Sequence, residues 1–280
     1  MNNPVIVCLV LAVTSAMAEE KVEPIDRHAL VTRHNVVLTT ADVHSPLSVG
    51  NGEFAFTADV TGLQTFENNF NDTIPLSTMA QWGFHTTPSP QGFSLDKFPL
   101  TTKDTSGRPV KYLYYADGKS PKEWKEAAEY LYANPGRLHL GRLALVLKTA
   151  NGREARLEDL ADIRQELDLW TGELRSHFTL GGEPVDVSTC CHPDRELLAV
   201  RIQSPLVPAG RLSVLLAFPY GSSAFSGNGA DWTKPAAHQT LMTPVGEHRA
   251  DFARTLDNDR YHAALAWSDG CRLTADGPHR

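Results

Sequence analysis

The sequence predicts an all-β fold, mainly antiparallel and of the β-sandwich or supersandwich type, with one short helix. Three observations lead there. Short runs of alternating apolar and polar residues recur along the chain, turns rich in Gly and Asn separate them, and only one segment has helix composition with start and stop signals. Alternation with period two puts one face of a strand on a core, and tight turns at this spacing join antiparallel neighbours.

The densest region of this kind is Ser45–Phe66. A Gly50-Asn51-Gly52 turn precedes the alternating run Glu53–Val60, and Thr61-Gly62 then leads into Leu63–Phe66. Gly and Asn supply backbone angles that β-branched residues resist. An earlier strand is expected over His34–Thr39, after a polar entry segment Glu19–Thr32. Residues Glu67–Val110 differ, with many Asn, Pro, Ser and Thr and few periodic apolar positions. So long a connection is usually functional or disordered. Its aromatic residues Phe70, Trp82, Phe84, Phe93 and Phe98 argue for order.

The helix is expected after Ser120, a capping residue, and Pro121, suited to the first helical position. Glu123–Leu131 are good helix formers, Trp124, Ala127, Ala128 and Leu131 fall on one apolar face, and Asn134-Pro135-Gly136 ends the segment. Strands dominate from there. Leu140–Lys148 runs into the hairpin signal Ala150-Asn151-Gly152, and Arg164–Trp170, Glu173–Leu180, Pro184–Cys191, Glu196–Gln203 and Arg211–Phe218 follow with turns between them. Pro219–Pro235 reads as a loop, Arg260–Ser268 as a strand, and Asp269-Gly270 to Leu273 as a closing hairpin. The last strand has no partner after it, so the chain is expected to be cut inside its domain.

Bulk properties narrow the function. Residues 1–18 read as an export signal, with the apolar run Val5–Val13 and an Ala16-Met17-Ala18 end, although no Lys or Arg precedes the run. That run is too short to span a membrane and no later one is long enough, so residues 19–280 are expected to form one exported domain, periplasmic or extracellular. The net charge is −7 with basic residues scattered among acidic ones, which argues against a nucleic-acid partner. Cys190, Cys191 and Cys271 would remain after cleavage; adjacent strand residues face opposite sides, and a bridge to Cys271 would leave an odd thiol. Buried free thiols are expected. No C-x-x-C, H-x-H, H-E-x-x-H or G-x-S-x-G spacing occurs, and no glycine-rich loop opens a helix, so no metal or cofactor is implied.

The Gln81-Trp82-Gly83-Phe84-His85 stretch is the candidate binding loop. An indole face can stack on the apolar face of a pyranose while Gln81 or His85 bonds a hydroxyl. The other reading is a Trp and a Phe that pin an irregular loop to the sandwich. Asn51 either faces a neighbouring domain or accepts the left-handed conformation of its turn. Glu158, Asp159 and Asp162 read as a solvated cluster, Asp186 and Asp194 flank a hairpin, and Glu166 and Asp168 share the polar face of a strand. No catalytic residue is assigned, since tuning a carboxylate pair needs burial that these settings lack.

Several stretches resemble, in order, the amino-terminal β-sandwich of glycoside hydrolase family 65 and related six-hairpin glycosidases. They are the G-N-G turn at Gly50–Gly52 (also similar to family 95), Gln165-Glu166-Leu167-Asp168-Leu169-Trp170-Thr171-Gly172, and His177-Phe178 through Gly181-Gly182 to Val185–Thr189, His192-Pro193-Asp194 and Leu198–Ile202. The likeness covers roughly residues 33–275. It implies a sandwich that packs on an (α/α)6 barrel, which carries a Glu general acid and cleaves with inversion by water or phosphate. This chain has no helical-hairpin array, so that Glu maps onto none of its residues. What the resemblance implies is a non-catalytic domain of a carbohydrate-active enzyme, with carbohydrate and a following catalytic barrel as partners. A free-standing carbohydrate-binding module is the alternative.

Overall fold

The widest sheet is antiparallel and five-stranded, in the order Val36–Leu38, Leu160–Asp168, Glu173–Leu180, Glu183–Cys191, Leu198–Gln203. The computed structural model that shows it describes residues 24–89, 91–97, 100–113, 122–224 and 226–280. The expected export signal, the Ser120-Pro121 helix start and Phe98 lie outside the described residues.

Turn chemistry sets this sheet's register. Gly181 and Gly182 both take positive φ (62° and 83°), as a two-residue hairpin between Leu180 and Glu183 requires. Alternation then buries Leu174, Ser176, Phe178 and Leu180 on one strand and Val185, Val187 and Thr189 on the next. The opposite face is polar, with the ion pairs of Arg164 with Glu166 and Arg175 with Glu173 and a hydrogen bond between His177 and Asp186.

Against the apolar face lies a second layer. It holds a three-stranded sheet of Leu47–Gly50, Phe54–Ala58 and Thr78–Ala80, and the pair Arg142–Leu147 with Leu212–Ala217. Phe56, Ala58, Leu63, Leu145 and Leu147 meet Leu174, Phe178, Val185 and Val187 in one core. The fold is therefore all-β and sandwich-like. A three-stranded meander of His238–Pro244, Arg249–Leu256 and Asp259–Ala266 adds Leu256 and Tyr261 to that core.

Several expectations need correction. The Ala150-Asn151-Gly152 turn forms, but its return is a single bridge, Lys148 to Glu154; the strand Arg142–Leu147 pairs instead with the distant Leu212–Ala217. No strand follows Asp269-Gly270, and Asp259–Ala266 pairs backward with Arg249–Leu256. The entry segment contains a short helix, Arg27–Thr32, capped by Asp26, whose carboxylate accepts from the Ala29 amide. The expected helix spans Lys122–Ala133 and buries Ala127 and Ala128, whereas Trp124 stays 45 % exposed. The long Glu67–Val110 segment is largely ordered, with strands at Thr78–Ala80 and Phe84–His85 and a hairpin of Leu100–Thr105 and Arg108–Leu113. Cys190 and Cys191 are unpaired and half-buried, but Cys271 is unpaired and exposed, since no strand buries its segment.

The turn from Asp59 to Phe66 is buried across the inner face of the five-stranded sheet, an uncommon place for irregular backbone. Its polar groups are bonded locally, from the sheet and from the second layer, where Arg142 donates to the Gln64 (2.9 Å) and Thr65 (2.7 Å) carbonyls. The Asp59 carboxylate accepts from the Thr61 amide (2.8 Å), the Thr61 hydroxyl (2.6 Å) and the Phe66 amide (2.7 Å). Burial still pushes its pKa up, with these bonds opposing the shift. From the sheet, Gln165 Nε2 donates to the Asp59 carbonyl (2.7 Å) and to Ser176 Oγ (2.9 Å), while Thr189 Oγ1 donates to the Gly62 carbonyl (2.9 Å). Gly62 sits at φ 81°, and a Cβ there would lie 3.0 Å from Ser176 Oγ and 3.1 Å from Val187 Cγ1. Removing one buried partner leaves the others unsatisfied, which costs more than the bond itself contributes. Gln165→Leu is expected to lower stability by about 2–3 kcal/mol in urea denaturation. His177→Ala on the exposed face should lower it by less than about 1 kcal/mol. Equal losses would mean that the buried turn does not depend on Gln165.

Candidate functional site

The site starts at the Gly50-Asn51-Gly52 turn, which joins the strands Leu47–Gly50 and Phe54–Ala58 of the second layer. Asn51 Oδ1 accepts from the amides of Glu53 (3.0 Å) and Phe54 (2.8 Å), and its Nδ2 donates to the carbonyls of His192 and Arg195 (both 3.1 Å). The left-handed angle of the turn falls on Gly52 (φ 92°), not on Asn51. Asn51 therefore ties two turns together and faces inward. The turn it holds ends at Glu196, whose carboxylate accepts from Trp82 Nε1 at 2.6 Å. That bond orients the indole, which remains 46 % exposed.

Trp82 and Glu196 border a groove of about 550 Å³ between the two layers and the meander. Its floor is apolar, with Phe56, Leu140, Leu143 and Phe218 among the side chains. One wall is the strand Asp259–Ala266, at the edge of its sheet, and five consecutive residues from Tyr261 to Leu265 line the groove. Side chains on a strand alternate between faces, so consecutive lining residues mean that the strand presents its open edge. Tyr261 stands 6.0 Å from Trp82, ring to ring, and its hydroxyl donates to the Leu140 carbonyl (2.7 Å). Behind it Arg254, 1 % exposed, donates to Tyr261 Oη (3.3 Å), to the Gln239 and Pro219 carbonyls and to His238 Nδ1. On the far rim Arg249 pairs with Asp251 at 2.8 Å.

No protein-family model matches this chain, and no curated protein is significantly similar to it. The arrangement must be read from its own geometry.

Of the four residues singled out from sequence, only Trp82 lines the groove. Gln81 is exposed, and its backbone amide bonds the Glu53 carbonyl. His85 points away from a ligand's reach. It is 2 % exposed, with Nδ1 2.8 Å from Asp259 and Nε2 3.3 Å from Asp257, and it packs edge-on against Tyr220. Gly221 makes room for the ring, since a Cβ there would come within 2.3 Å of His85 Cδ2. His85 thus fastens the binding loop to the Asp257–Asp259 turn. Glu196, Tyr261, Arg249 and Asp251 were not singled out from sequence. Glu196 carries no signal beyond the turn before it, and the sequence of the strand holding Arg249 and Asp251 carries no clear strand period.

A second tryptophan is held in the same way. Glu67, 2 % exposed, accepts from Trp232 Nε1 (3.0 Å) and Asn228 Nδ2 (3.1 Å) and lies 3.4 Å from Arg142 Nε. Beside it His139 is buried, with Nδ1 accepting from the Gly141 amide (3.3 Å). Among the described residues no group of three His, Cys, Asp or Glu side chains is placed to hold a metal ion, and no helix is long and apolar enough to cross a membrane.

Burial, with the nearby Arg142 cation, depresses the His139 pKa to about 3. Burial, with Arg254 and His279, depresses that of His238 likewise to about 3. Unfolded histidine titrates near 6.5. Below that pH the unfolded chain takes up protons that these two folded imidazoles refuse, so stability is complete above pH 7 and falls as the pH drops toward 3. Each histidine contributes a slope approaching about 1.4 kcal/mol per pH unit. The urea midpoint should therefore decline steadily from pH 7 to pH 4.5. A flat profile over that range would show that neither imidazole is held neutral by the fold.

Proposed function

We propose that this chain is a non-catalytic β-sandwich domain of an exported carbohydrate-active enzyme, a glycoside hydrolase or phosphorylase. Its Trp82 groove supplies one wall of a sugar site beside the catalytic barrel. The observation that carries the reading is the Trp82–Glu196 contact. An exposed indole, fixed in orientation by its N–H, stands over a concave apolar floor, and such sites take ligands by stacking and a few placed polar groups. The rim carboxylates are already engaged, Glu196 with Trp82 and Asp251 with Arg249, which favours holding a ligand over proton transfer. The ordered resemblance to family-65 sandwich domains supports the same class.

A free-standing carbohydrate-binding module is the second reading. It draws on the fact that residues of this one chain line the groove. Both readings require the protein to bind glycans. A glycan-array screen followed by calorimetry should find a sugar ligand, and Trp82→Ala should weaken it about 30-fold or more, the cost of truncating an anchoring aromatic. Trp82→Phe should retain part of the affinity. A ligand bound equally by Trp82→Ala would place the sugar elsewhere, and a protein that binds no glycan would sink both readings.

A further inference from the structure

The groove has two chemistries, and a sugar alone satisfies only one. Its rim carries the indole of Trp82, the Glu196 carboxylate and the Arg249–Asp251 pair. Its interior is apolar, with Phe56 and Phe218 at 1 % and 3 % exposure and Leu140, Leu143, Leu216 and Leu265 around them. The volume of about 550 Å³ falls in the range that holds a drug-sized ligand. A sugar stacked on Trp82 at the rim would leave the deeper apolar wall wet. We infer that the groove accepts an amphipathic glycoside, with the sugar on the Trp82 rim and an apolar aglycone, alkyl or aryl, laid along the interior. This rests on the carbohydrate reading above and adds the substrate class to it.

The strand edge refines the geometry. The groove-lining stretch Tyr261–Leu265 has no strand on its outer side among the described residues, so its free backbone groups face the ligand. They can bond the polar atoms near the glycosidic oxygen, while Ala263 and Leu265 meet the aglycone. Leu265 is half-buried at the wall on the same strand face as Ala263, so a polar side chain there would face the tail.

Calorimetry of the whole chain with methyl, butyl, hexyl and octyl β-D-glucosides, galactosides and mannosides, all below their micelle concentrations, tests this. Non-sugar triols of the same chain lengths serve as controls. For at least one sugar, affinity should rise about fourfold per methylene until the groove is full, as burial of each CH₂ group predicts. The matching triol should bind much more weakly. Leu265→Asn, which sets a polar side chain against the tail, should cut the gain per methylene far more than it weakens the methyl glycoside, and Trp82→Ala should abolish the preference between sugars. Sugar binding with no gain along the alkyl series would overturn the aglycone proposal and leave the carbohydrate reading standing. Equal gains for sugars and triols, or no binding at all, would overturn both.

Discussion

A turn buried in the core is the constraint on which the rest of the structure depends. Irregular backbone inside a protein must have its N–H and C=O groups bonded, because each orphan costs as much as a lost hydrogen bond. The Asp59–Phe66 turn lies against a sheet face that is otherwise apolar. On the sheet side the solution is one polar side chain from each of three adjacent strands, placed where apolar residues would otherwise continue: Gln165 and Thr189 donate to the turn, and Ser176 holds Gln165. Their strands must stay in register for these bonds to meet the turn. One strand slipped by a residue would send its polar group to the solvent face. The turn and the sheet therefore specify one another.

The same rigidity reaches the groove. The strand Phe54–Ala58 leads directly into the buried turn, and the turn before that strand is closed by Asn51. Asn51 also grips the His192–Arg195 turn, and the residue that follows it, Glu196, holds Trp82. A chain of short polar contacts thus runs from the core to the rim. Exposed tryptophans lose rotamer freedom when they bind, and fixing the ring beforehand removes much of that cost. His85 does the same for the loop's other end, anchored to Asp259 while Gly221 leaves space for its ring.

The sequence made part of this legible. Glu173–Leu180 is visible to the residue because its apolar alternation is interrupted only at Ser176 and glycines mark the turns on both sides. The meander strand Arg249–Leu256 was not visible. Its inward positions are Ala250, Phe252, Arg254 and Leu256, and a buried arginine in an apolar register hides the period. Arg142–Leu147 was visible as a strand, yet its partner lies far away in sequence, and no local pattern reports such a pairing. Trp82 could be found because an aromatic residue in a long irregular segment needs a reason. Glu196 could not, since what gives it a role is a contact across 114 positions. Asn51 and His85 were noticed for their residue types, but whether a polar side chain faces a ligand or ties the fold together is decided by its partners.

Arg254 shows how such a tie can serve a site that it never touches. It forms no ion pair with a carboxylate among the described residues, so its charge is met by carbonyls, by a histidine held neutral and by the faces of Phe218 (5.0 Å) and Tyr261 (5.8 Å). Burying a cation this way is costly, and a well-packed apolar residue would often be as stable. What the guanidinium provides is geometry. It donates to Tyr261 Oη from behind while that hydroxyl donates to Leu140, so the phenol ring is fixed at the back of the groove and faces Trp82. The depressed His238 pKa belongs to the same arrangement, because a protonated imidazole could not accept from Arg254 and would repel it. One of the two histidines behind the acid sensitivity of the fold therefore stands at the back of the groove wall, where burial and the Arg254 cation together keep its imidazole neutral.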